Sequence, residues 1–419
     1  VLTSLRRQKY FEFGDKPHKL LARQLRKMEN DRIHKIKAHN NTILTKPKDI
    51  NDRFLEFYTD LYTSKTTSDS VTINAFLDQC ELPRLSKEDC DSLNSDLTIA
   101  EVRSAIASLK SNKAPGPDGL PGELYKTFSE NLSPYLLKLY EHAQIQGNLP
   151  PTLTEAVITL IHKKGKDSQE VGAYRPISLL DVDGKLFAKI LANRLNPLLG
   201  KLVHMDQTGF IPNRSATFNL RCLFNIIYTK RGPPTDLVIL ALDAEKAFDQ
   251  IEWCYLFEVL NRFHFGNKFL SLIKLIYNNP TAQILTNRTI SSSFRLHRGT
   301  RQGCPLSTLI FAIEPQIYGY STKDTNNKIS LYADDILLYI TQPQITIPNL
   351  LDKINLFGTF SGYRINWTKS VVMPVHMSDL ANLDHFPFTV SPEKFTYLGI
   401  EVTKQYSSLF QANFPPLIE

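Results

Sequence analysis

Apolar residues recur at helical spacing in the first part of the chain. Leu21 and Leu25 share one face of a helix predicted over residues 17–37, and arginine and lysine side chains surround that face. A second short helix is predicted over residues 50–63, before the polar stretch Thr63–Ser70. The beginning of the chain is therefore expected to be helical and basic.

A helix start and a tight turn can be located from single residues. Thr98 and Glu101 stand three residues apart before an apolar run, which is the spacing of a capping box. That helix is expected to end at the turn Lys113–Gly119, which contains two prolines and two glycines. Another helix follows to about Ala143, and residues 183–199 again have helical spacing.

Short apolar runs further along the chain are typical of strands. Ala156–His162 is rich in β-branched residues, and Leu237–Leu242 is a continuous apolar run that indicates a strand buried on both faces. A helix is expected from about Glu245 to Phe263. Two apolar runs within Ile329–Ile340 are separated by a pair of aspartates, the pattern of a β-hairpin. Helices and strands mix without strict alternation, so the predicted fold class is α+β.

The charge is distributed unevenly. The chain has 419 residues and a formal net charge of +7, and residues 1–50 alone hold 13 Lys and Arg against 5 Asp and Glu. A basic arm on a nearly neutral body suits a polyanionic partner such as nucleic acid. The alternative is an ordinary solvated helix.

The cysteines and the apolar segments bear on the type of protein. The five cysteines form no Cys-x-x-Cys pair, which disfavours a disulfide framework or a zinc site and fits a reducing compartment. We expect neither a signal peptide nor a membrane span, and an intracellular location.

Three aspartates stand at the ends of apolar strands. Asp243 directly follows the run Leu237–Leu242, and Asp334 and Asp335 lie between the two apolar runs of the predicted hairpin. Taken singly, these features are typical of a helix cap and an ordinary turn. Taken together, they offer the hard oxygen ligands that Mg²⁺ prefers. Two such ions can activate a 3′-hydroxyl and stabilise a leaving pyrophosphate.

The residues around these aspartates resemble a known family. Tyr-Ala-Asp-Asp at residues 332–335 is similar to the signature of reverse transcriptases, and residues 241–250 resemble the strand with their other catalytic aspartate. The wider pattern resembles the reverse transcriptases of non-LTR retrotransposons, the long interspersed elements. The further matching blocks stand in the family's order at residues 174–180, 189–195, 206–212, 301–307 and 395–400. This resemblance implies a right-hand polymerase fold with fingers and palm.

The resemblance implies a catalytic role for Asp243, Asp334 and Asp335. These residues, with Ala244 included among the metal-binding positions, would hold two Mg²⁺ ions, for which Mn²⁺ can substitute. Lys369 matches a lysine near the pyrophosphate in related polymerases, and the alternative is a surface lysine.

The resemblance also implies a nucleotide site. Phe248 is similar to a steric gate that excludes a 2′-hydroxyl, and the alternative is a core phenylalanine. Gln302 and Gly303 match the loop that touches the incoming nucleotide and the template.

Two further pieces of the nucleic-acid site follow from the resemblance. Lys163 and Arg175 match the fingers segment whose cations face the triphosphate, although neighbouring lysines could substitute for Lys163. Such cations are required because the leaving pyrophosphate gains negative charge. Leu398 and Gly399 resemble the hairpin that grips the primer end, and the alternative is an ordinary tight turn.

The expected organisation is a basic helical extension over residues 1–95, a reverse transcriptase domain over 96–403, and a truncated start of a thumb over 404–419. The implied partners are an RNA template, a DNA primer or target DNA, and deoxynucleotides, without a membrane. The implied location is the nucleus or the cytoplasm, as a ribonucleoprotein.

Two features favour a rival hypothesis. Thr308 stands where the family has a proline, and the segment from there to Tyr332 is shorter than the family's. We therefore expect this chain alone to be a poor or inactive polymerase, and the alternative to an active polymerase is a decayed, catalytically weak nucleic-acid-binding remnant. A further alternative, an intron-encoded polymerase of the maturase type, agrees less closely with the amino-acid sequences of the matching blocks.

Overall fold

The computed structural model describes residues 32–80, 82–228, 236–313, 329–376, 383 and 385–414. Most of the basic arm, and residues 314–328 of the segment whose shortness was noted above, therefore lie outside the described residues. Arg32–Lys35 are not helical and Ile36–Lys37 form a strand, so the end of the helix predicted over residues 17–37 is wrong. The reason is tertiary pairing: Ile36 is fully buried and pairs with Leu44.

The strands are short, and most of them pair with antiparallel neighbours. They are β1 Ile36–Lys37, β2 Ile43–Leu44, β3 Glu155–His162, β4 Tyr174–Leu180, β5 Leu237–Leu242, β6 Thr281–Thr286, β7 Thr289–Ile290, β8 Phe294–Arg295, β9 Ile329–Tyr332, β10 Asp335–Thr341, β11 Val371–His376, β12 Thr389–Val390, β13 Lys394–Tyr397 and β14 Ile400–Thr403.

The helices range from single turns to five turns. They are α1 Pro47–Tyr62, α2 Ser70–Leu77, α3 Lys87–Leu93, α4 Ile99–Ala107, α5 Gly122–Thr127, α6 Ser129–Gln146, α7 Pro151–Thr154, α8 Val182–Leu195, α9 Leu199–Leu202, α10 Ala216–Tyr228, α11 Ala247–Gln250, α12 Trp253–Arg262, α13 Asn267–Tyr277, α14 Ser307–Ile313, α15 Pro343–Ser361 and α16 Tyr406–Asn413. This mixture of helices and strands confirms the predicted α+β class.

The chain divides into two compact units, of which the first combines residues 32–60 with Val157–Ser178 and Ala282–Phe294. Its sheet has the order β4-β3-β6-β7, with β8 beside β6. The side chain of Asn51, buried in α1, donates hydrogen bonds to the backbone oxygens of Ile284 and Thr289 at 3.0 and 3.1 Å. These bonds hold α1 on the sheet.

The second unit contains the five-stranded sheet β12-β11-β5-β10-β9. Central β5 is antiparallel to both β10 and β11, and Ala241 is the register partner of Leu337 on one side and Val371 on the other. Val238 and Leu240 belong to a core cluster on one face of β5, and Ile239 belongs to the cluster on the other face. The prediction that β5 is buried on both faces is confirmed.

Local signals in the helical part of the second unit are also confirmed. Thr98 Oγ1 accepts a hydrogen bond from the Glu101 backbone, and the Glu101 carboxylate accepts one from the Thr98 backbone, so the capping box is complete. The turn at Lys113–Gly119 closes with a hydrogen bond from Gly119 N–H to Gly116 O at 3.1 Å. Gly119 has a φ of 75°, a conformation that favours glycine.

Two predicted helices end differently in the structure. The helix expected from Glu245 to Phe263 is divided into α11 and α12, because Glu252 N–H donates to Ser361 O and Ile251 O accepts from Gly299 N–H. These long-range bonds replace the helical ones between the two segments. The helix predicted over residues 183–199 gives way after Leu195 to a 3₁₀ turn that contains Pro197, which has no N–H to continue the α-helix.

No helix within the described ranges combines the length and the apolar character needed to cross a bilayer. The predicted boundaries after residues 95 and 403 stay predictions.

Candidate active site

The sheet of the second unit brings the predicted aspartates to one edge. Ile336 in β10 is the register partner of Leu242 in β5, so Asp335, which precedes Ile336, lies at the same end of the sheet as Asp243. Asp334 occupies the turn between β9 and β10. All three aspartates are half-buried. The hairpin prediction is confirmed, and its turn faces the end of the central strand.

Asp334 and Asp243 lie close enough to Asp335 to affect its ionisation. Burial first, and then the charges of Asp334 and Asp243, raise the pKa of Asp335 to about 6, while the charge of Lys369 opposes this rise. No three His, Cys, Asp or Glu side chains in the described part of the chain are gathered tightly enough to form a ready-made metal site. The donors are nevertheless all carboxylate oxygens whose mutual repulsion a hard dication would relieve, so the set fits Mg²⁺.

Residues of the segment that follows α15 form hydrogen bonds and an ion pair with Asp243. Lys369 Nζ lies 2.9 Å from Asp243 Oδ2, with both side chains partly exposed. Asn366 N–H donates to Asp243 O at 2.8 Å, and Asp243 N–H donates to Ser370 Oγ at 3.2 Å. The structure therefore places the Lys369 cation directly against the Asp243 carboxylate.

Phe248, in α11 of the second unit, packs against other aromatic rings. The half-buried ring of Phe248 stacks on Phe311, with ring centroids 4.0 Å apart and planes at 18°. The partly exposed ring of Phe210 approaches Phe248 edge-on at 6.1 Å. Thr300 N–H donates to Phe248 O at 2.6 Å. Phe248 is thus fixed through both its ring and its backbone.

The Gln302 side chain is held by a residue that the sequence did not single out. Gln302 Nε2 donates to Asp249 Oδ2 at 3.2 Å, and Tyr62 OH donates to Asp249 Oδ1 at 2.8 Å. Asp249 is buried, so these donors offset the cost of its desolvation. The neighbouring Gly303 has a φ of 124°. The side-chain amide of Gln302 therefore has a fixed orientation.

The predicted primer-grip residues form a tight hairpin turn. Leu398 and Gly399 connect β13 to β14, with φ values of 49° and 78°, the pattern of a type I′ turn. Asn219 Nδ2 donates both to Tyr397 OH at 3.3 Å and to Leu331 O at 2.9 Å. The β13–β14 hairpin is thereby linked to β9, the strand that leads into the turn at Ala333 and Asp334.

The predicted fingers residues Lys163 and Arg175 belong to the first unit. Lys163 follows β3, and its N–H donates to Ala173 O at 2.8 Å. Arg175 lies in β4 with an exposed side chain. Both positions leave cationic groups accessible to solvent.

Gln207 is a further residue at the site whose role the sequence did not indicate. It belongs to the matching block at residues 206–212, and its buried side chain contacts the backbone of Ala333 in the turn between β9 and β10. The sequence offered one indication of its importance: Gln207 is a polar residue within a matching block, and no role had been assigned to that block.

Comparison with known proteins decides the family. Residues 161–402 match the model of the family described as reverse transcriptase (RNA-dependent DNA polymerase). The chain belongs to the reverse transcriptase family. This assignment confirms the resemblance drawn from the sequence, and the match includes the aspartates, Phe248 and the β13–β14 hairpin.

The relatives of this reverse transcriptase chain are proteins of mobile elements. It is 31% identical over 349 residues to the transposon TX1 uncharacterized 149 kDa protein of Xenopus laevis, a match that covers 80% of this chain and 26% of that protein. It is 25% identical to the Pol polyprotein of the type-2 retrotransposable element R2DM of Drosophila melanogaster, covering 74% of this chain and 30% of that one. It is 26% identical to the RNA-directed DNA polymerase of the mobile element jockey of the same species, covering 58% and 27%.

These relatives identify the non-LTR retrotransposon type. The chain spans between a quarter and a third of the length of these curated relatives. A solved structure, telomerase from Candida tropicalis with a fragment of telomeric RNA, matches 68% of this chain and 48% of that chain, with a TM-score of 0.43 and 16% identity.

Proposed function

We propose that this chain is the polymerase part of a non-LTR retrotransposon protein and extends a DNA primer on an RNA template. The observation that supports the proposal most directly is that Asp243, Asp334 and Asp335 lie at the same end of the paired strands β5 and β10 in a chain of this family. Asp243 and Asp335, with Asp334 and the Ala244 position, would hold two Mg²⁺ ions. When bound, such ions lower the pKa of the primer 3′-hydroxyl and stabilise the leaving pyrophosphate.

The residues around the carboxylates would position the reactants. The ring of Phe248 is held in place by stacking on Phe311, and it would occupy the space that a 2′-hydroxyl needs. Lys369, 2.9 Å from Asp243, would donate a proton or a hydrogen bond to the departing pyrophosphate. Gln302 and Gly303 would contact the nucleotide and the template, with the Gln302 amide oriented by Asp249.

The remaining contacts would be made with nucleic acid and triphosphate. Lys163 and Arg175 would face the triphosphate, and the turn at Leu398 and Gly399 would hold the primer end. An RNA–DNA hybrid has an A-like shape and a dense backbone charge, so these contacts are expected to be basic or polar and independent of sequence. The element would work as a ribonucleoprotein in the nucleus or the cytoplasm.

Primer extension on homopolymer RNA with Mg²⁺ tests this function. The unmodified chain is expected to add deoxynucleotides slowly, and Asp334→Asn is expected to lose activity by orders of magnitude while RNA affinity changes little, because RNA binding depends mainly on backbone electrostatics. Near-normal extension by Asp334→Asn would rule out the carboxylate assignment. RNA binding without any extension by the unmodified chain would favour the remnant hypothesis.

A further inference from the structure

The catalytic turn between β9 and β10 contains a residue in an unfavourable conformation. Ala333 and Asp334 form this turn, and of the two only Ala333 has a positive φ, 56°. A hairpin turn with this pattern favours glycine at the first position, because a Cβ there approaches the following backbone. Ala333 is also buried. Such a residue keeps this conformation only where its surroundings fix it.

The side chain of Gln207 supplies that restraint. Its Oε1 accepts a hydrogen bond from Ala333 N–H at 2.9 Å, and its Nε2 donates to Ala333 O at 3.2 Å. Oε1 also accepts from Gly209 N–H at 2.9 Å. One amide side chain therefore pairs with both backbone polar groups of the residue immediately before Asp334. Only a side chain that both accepts and donates can do this.

The loop that contains Gln207 is hydrogen-bonded to β9, the strand that precedes the turn at Ala333. Thr208 N–H donates to Leu331 O at 2.9 Å, and Leu331 N–H donates to Asp206 O at 3.0 Å. Gly209 lies so close to the turn that a Cβ added there would be 2.2 Å from Ala333 N. The loop and the β9–β10 hairpin thus pack backbone against backbone, and Gln207 is only 2% exposed.

We propose that Gln207 is a positioning residue that fixes the backbone conformation of Ala333, and thereby the orientation of the Asp334 and Asp335 carboxylates. The proposal rests on the proposed polymerase function. Residues that orient metal ligands from behind typically change metal affinity or activity by about 10- to 100-fold when they are replaced. Gln207 would act in the same way through the main chain instead of through a side-chain contact with the ligand.

Two replacements separate the parts of this interaction. Gln207→Met keeps the length and removes both hydrogen-bonding groups, whereas Gln207→Glu keeps the acceptors but places a negative oxygen against Ala333 O. Thr208→Val is the matched control, because it removes a hydrogen bond of similar length to Leu331 O, 3.2 Å, in the same loop and leaves Ala333 untouched. All three are compared with the unmodified chain in RNA affinity, melting temperature, and rate of single-nucleotide addition.

The expected result is a loss of rate without a loss of RNA binding. Gln207→Met is expected to slow single-nucleotide addition by about 10- to 100-fold and to raise the Mg²⁺ concentration needed for half-maximal rate. Gln207→Glu is expected to be at least as slow. Thr208→Val is expected to keep the Mg²⁺ requirement of the unmodified chain even if its melting temperature falls.

A second replacement in the turn distinguishes positioning from simple stability. Glycine adopts positive φ without steric cost, so Ala333→Gly is expected to recover part of the rate lost in Gln207→Met. A purely structural role for Gln207 predicts no recovery, because Ala333→Gly adds no packing. The inference is overturned if Gln207→Met melts earlier but its folded fraction keeps the normal rate and Mg²⁺ requirement, or if the double variant recovers nothing.

Hydrogen exchange of the hairpin gives a readout that does not depend on catalysis. Loss of the acceptor at Gln207 is expected to speed exchange at the Ala333 amide in Gln207→Met, and the Thr208→Val control is expected to leave it unchanged. Unchanged exchange at Ala333 in Gln207→Met overturns the inference. Failure of the unmodified chain to extend any primer would count against the proposed function, and exchange at Ala333 would still decide for or against the role of Gln207.

Discussion

Individual residues of the site have properties that follow from what surrounds them. Asp335 has a raised pKa because it is partly buried next to two other carboxylates, and Phe248 has a fixed ring because Phe311 lies flat against it. Neither property belongs to the amino acid alone. Residue-scale predictions therefore concern the replacement of one group in a defined environment.

The position of the Phe248 ring is expected to determine how strongly the site prefers deoxynucleotides over ribonucleotides. Phe248→Val removes the ring that stacks on Phe311 and opens space where a 2′-hydroxyl would lie. Use of ribonucleotides relative to deoxynucleotides is expected to rise at least about tenfold, the scale on which pockets discriminate small groups. Single-nucleotide incorporation kinetics with matched dNTP and NTP pairs measure this ratio. An unchanged ratio would mean that Phe248 is only a core residue.

Some residues of the site could be predicted from the sequence and others could not. Asp243, Asp334 and Asp335 were found because each interrupts an apolar run in a recognisable block. Gln207 and Asp249 were not, because their roles depend on partners far away in sequence: Gln207 contacts Ala333, 126 residues later. A polar residue that is buried by a distant segment has no local signature.

Helices and strands, like single residues, could be predicted where neighbours in sequence determine them and not where distant segments do. The capping box at Thr98 and the buried strand β5 were predictable because neighbours in sequence determine them. The break between α11 and α12 was not, because it depends on Ser361 and Gly299, which come from other parts of the chain. Local hydrogen bonds can be expected from spacing, whereas competing long-range ones cannot.

The turn at Lys113–Gly119 is expected to make stability depend on pH. Asp118 N–H donates to Asp181 Oδ1 at 3.1 Å, and Gly116 lies against Asp181. Burial first, and then the charges of Asp118 and Asp183, raise the pKa of Asp181 to about 6. The folded chain therefore binds this proton more tightly than the unfolded chain, so the contribution of Asp181 to stability falls as pH rises from about 4 to about 6.

Replacing Asp181 by asparagine tests this dependence. Asp181→Asn keeps an oxygen acceptor for Asp118 N–H and removes the charge. The variant is expected to melt at a higher temperature than the unmodified chain at pH 7.5, and the difference is expected to vanish near pH 4. Melting curves across this range give the answer. A variant that melts lower at every pH would show that the charge of Asp181 is compensated in the folded chain.

At the scale of the whole molecule, much of the net positive charge lies at the beginning of the chain. Residues 1–31 carry eight Lys and Arg against four Asp and Glu, a net charge of +4. Residues 32–50 cannot be removed with them, because Ile36 and Ile50 are fully buried in the first unit. The nucleic-acid role of the basic arm is therefore tested best by a deletion that ends before Arg32.

Deletion of residues 1–31 is expected to weaken RNA binding and to make its salt dependence shallower. Each phosphate contact that is lost reduces the slope of log affinity against log salt by about 0.7 to 0.9. Fluorescence titrations with a labelled RNA at several salt concentrations measure this slope. Equal slopes with and without the arm would show that the basic residues are simply solvated.

Single-nucleotide addition to a DNA primer on an RNA template in Mg²⁺ is the sharpest test of the proposed polymerase activity. The unmodified chain is compared with Asp243→Asn and with Asp352→Asn, a control that changes an exposed aspartate in α15. We predict addition by the unmodified chain and by Asp352→Asn, and a loss of several orders of magnitude in Asp243→Asn at equal RNA occupancy. Equal rates in all three proteins would contradict it.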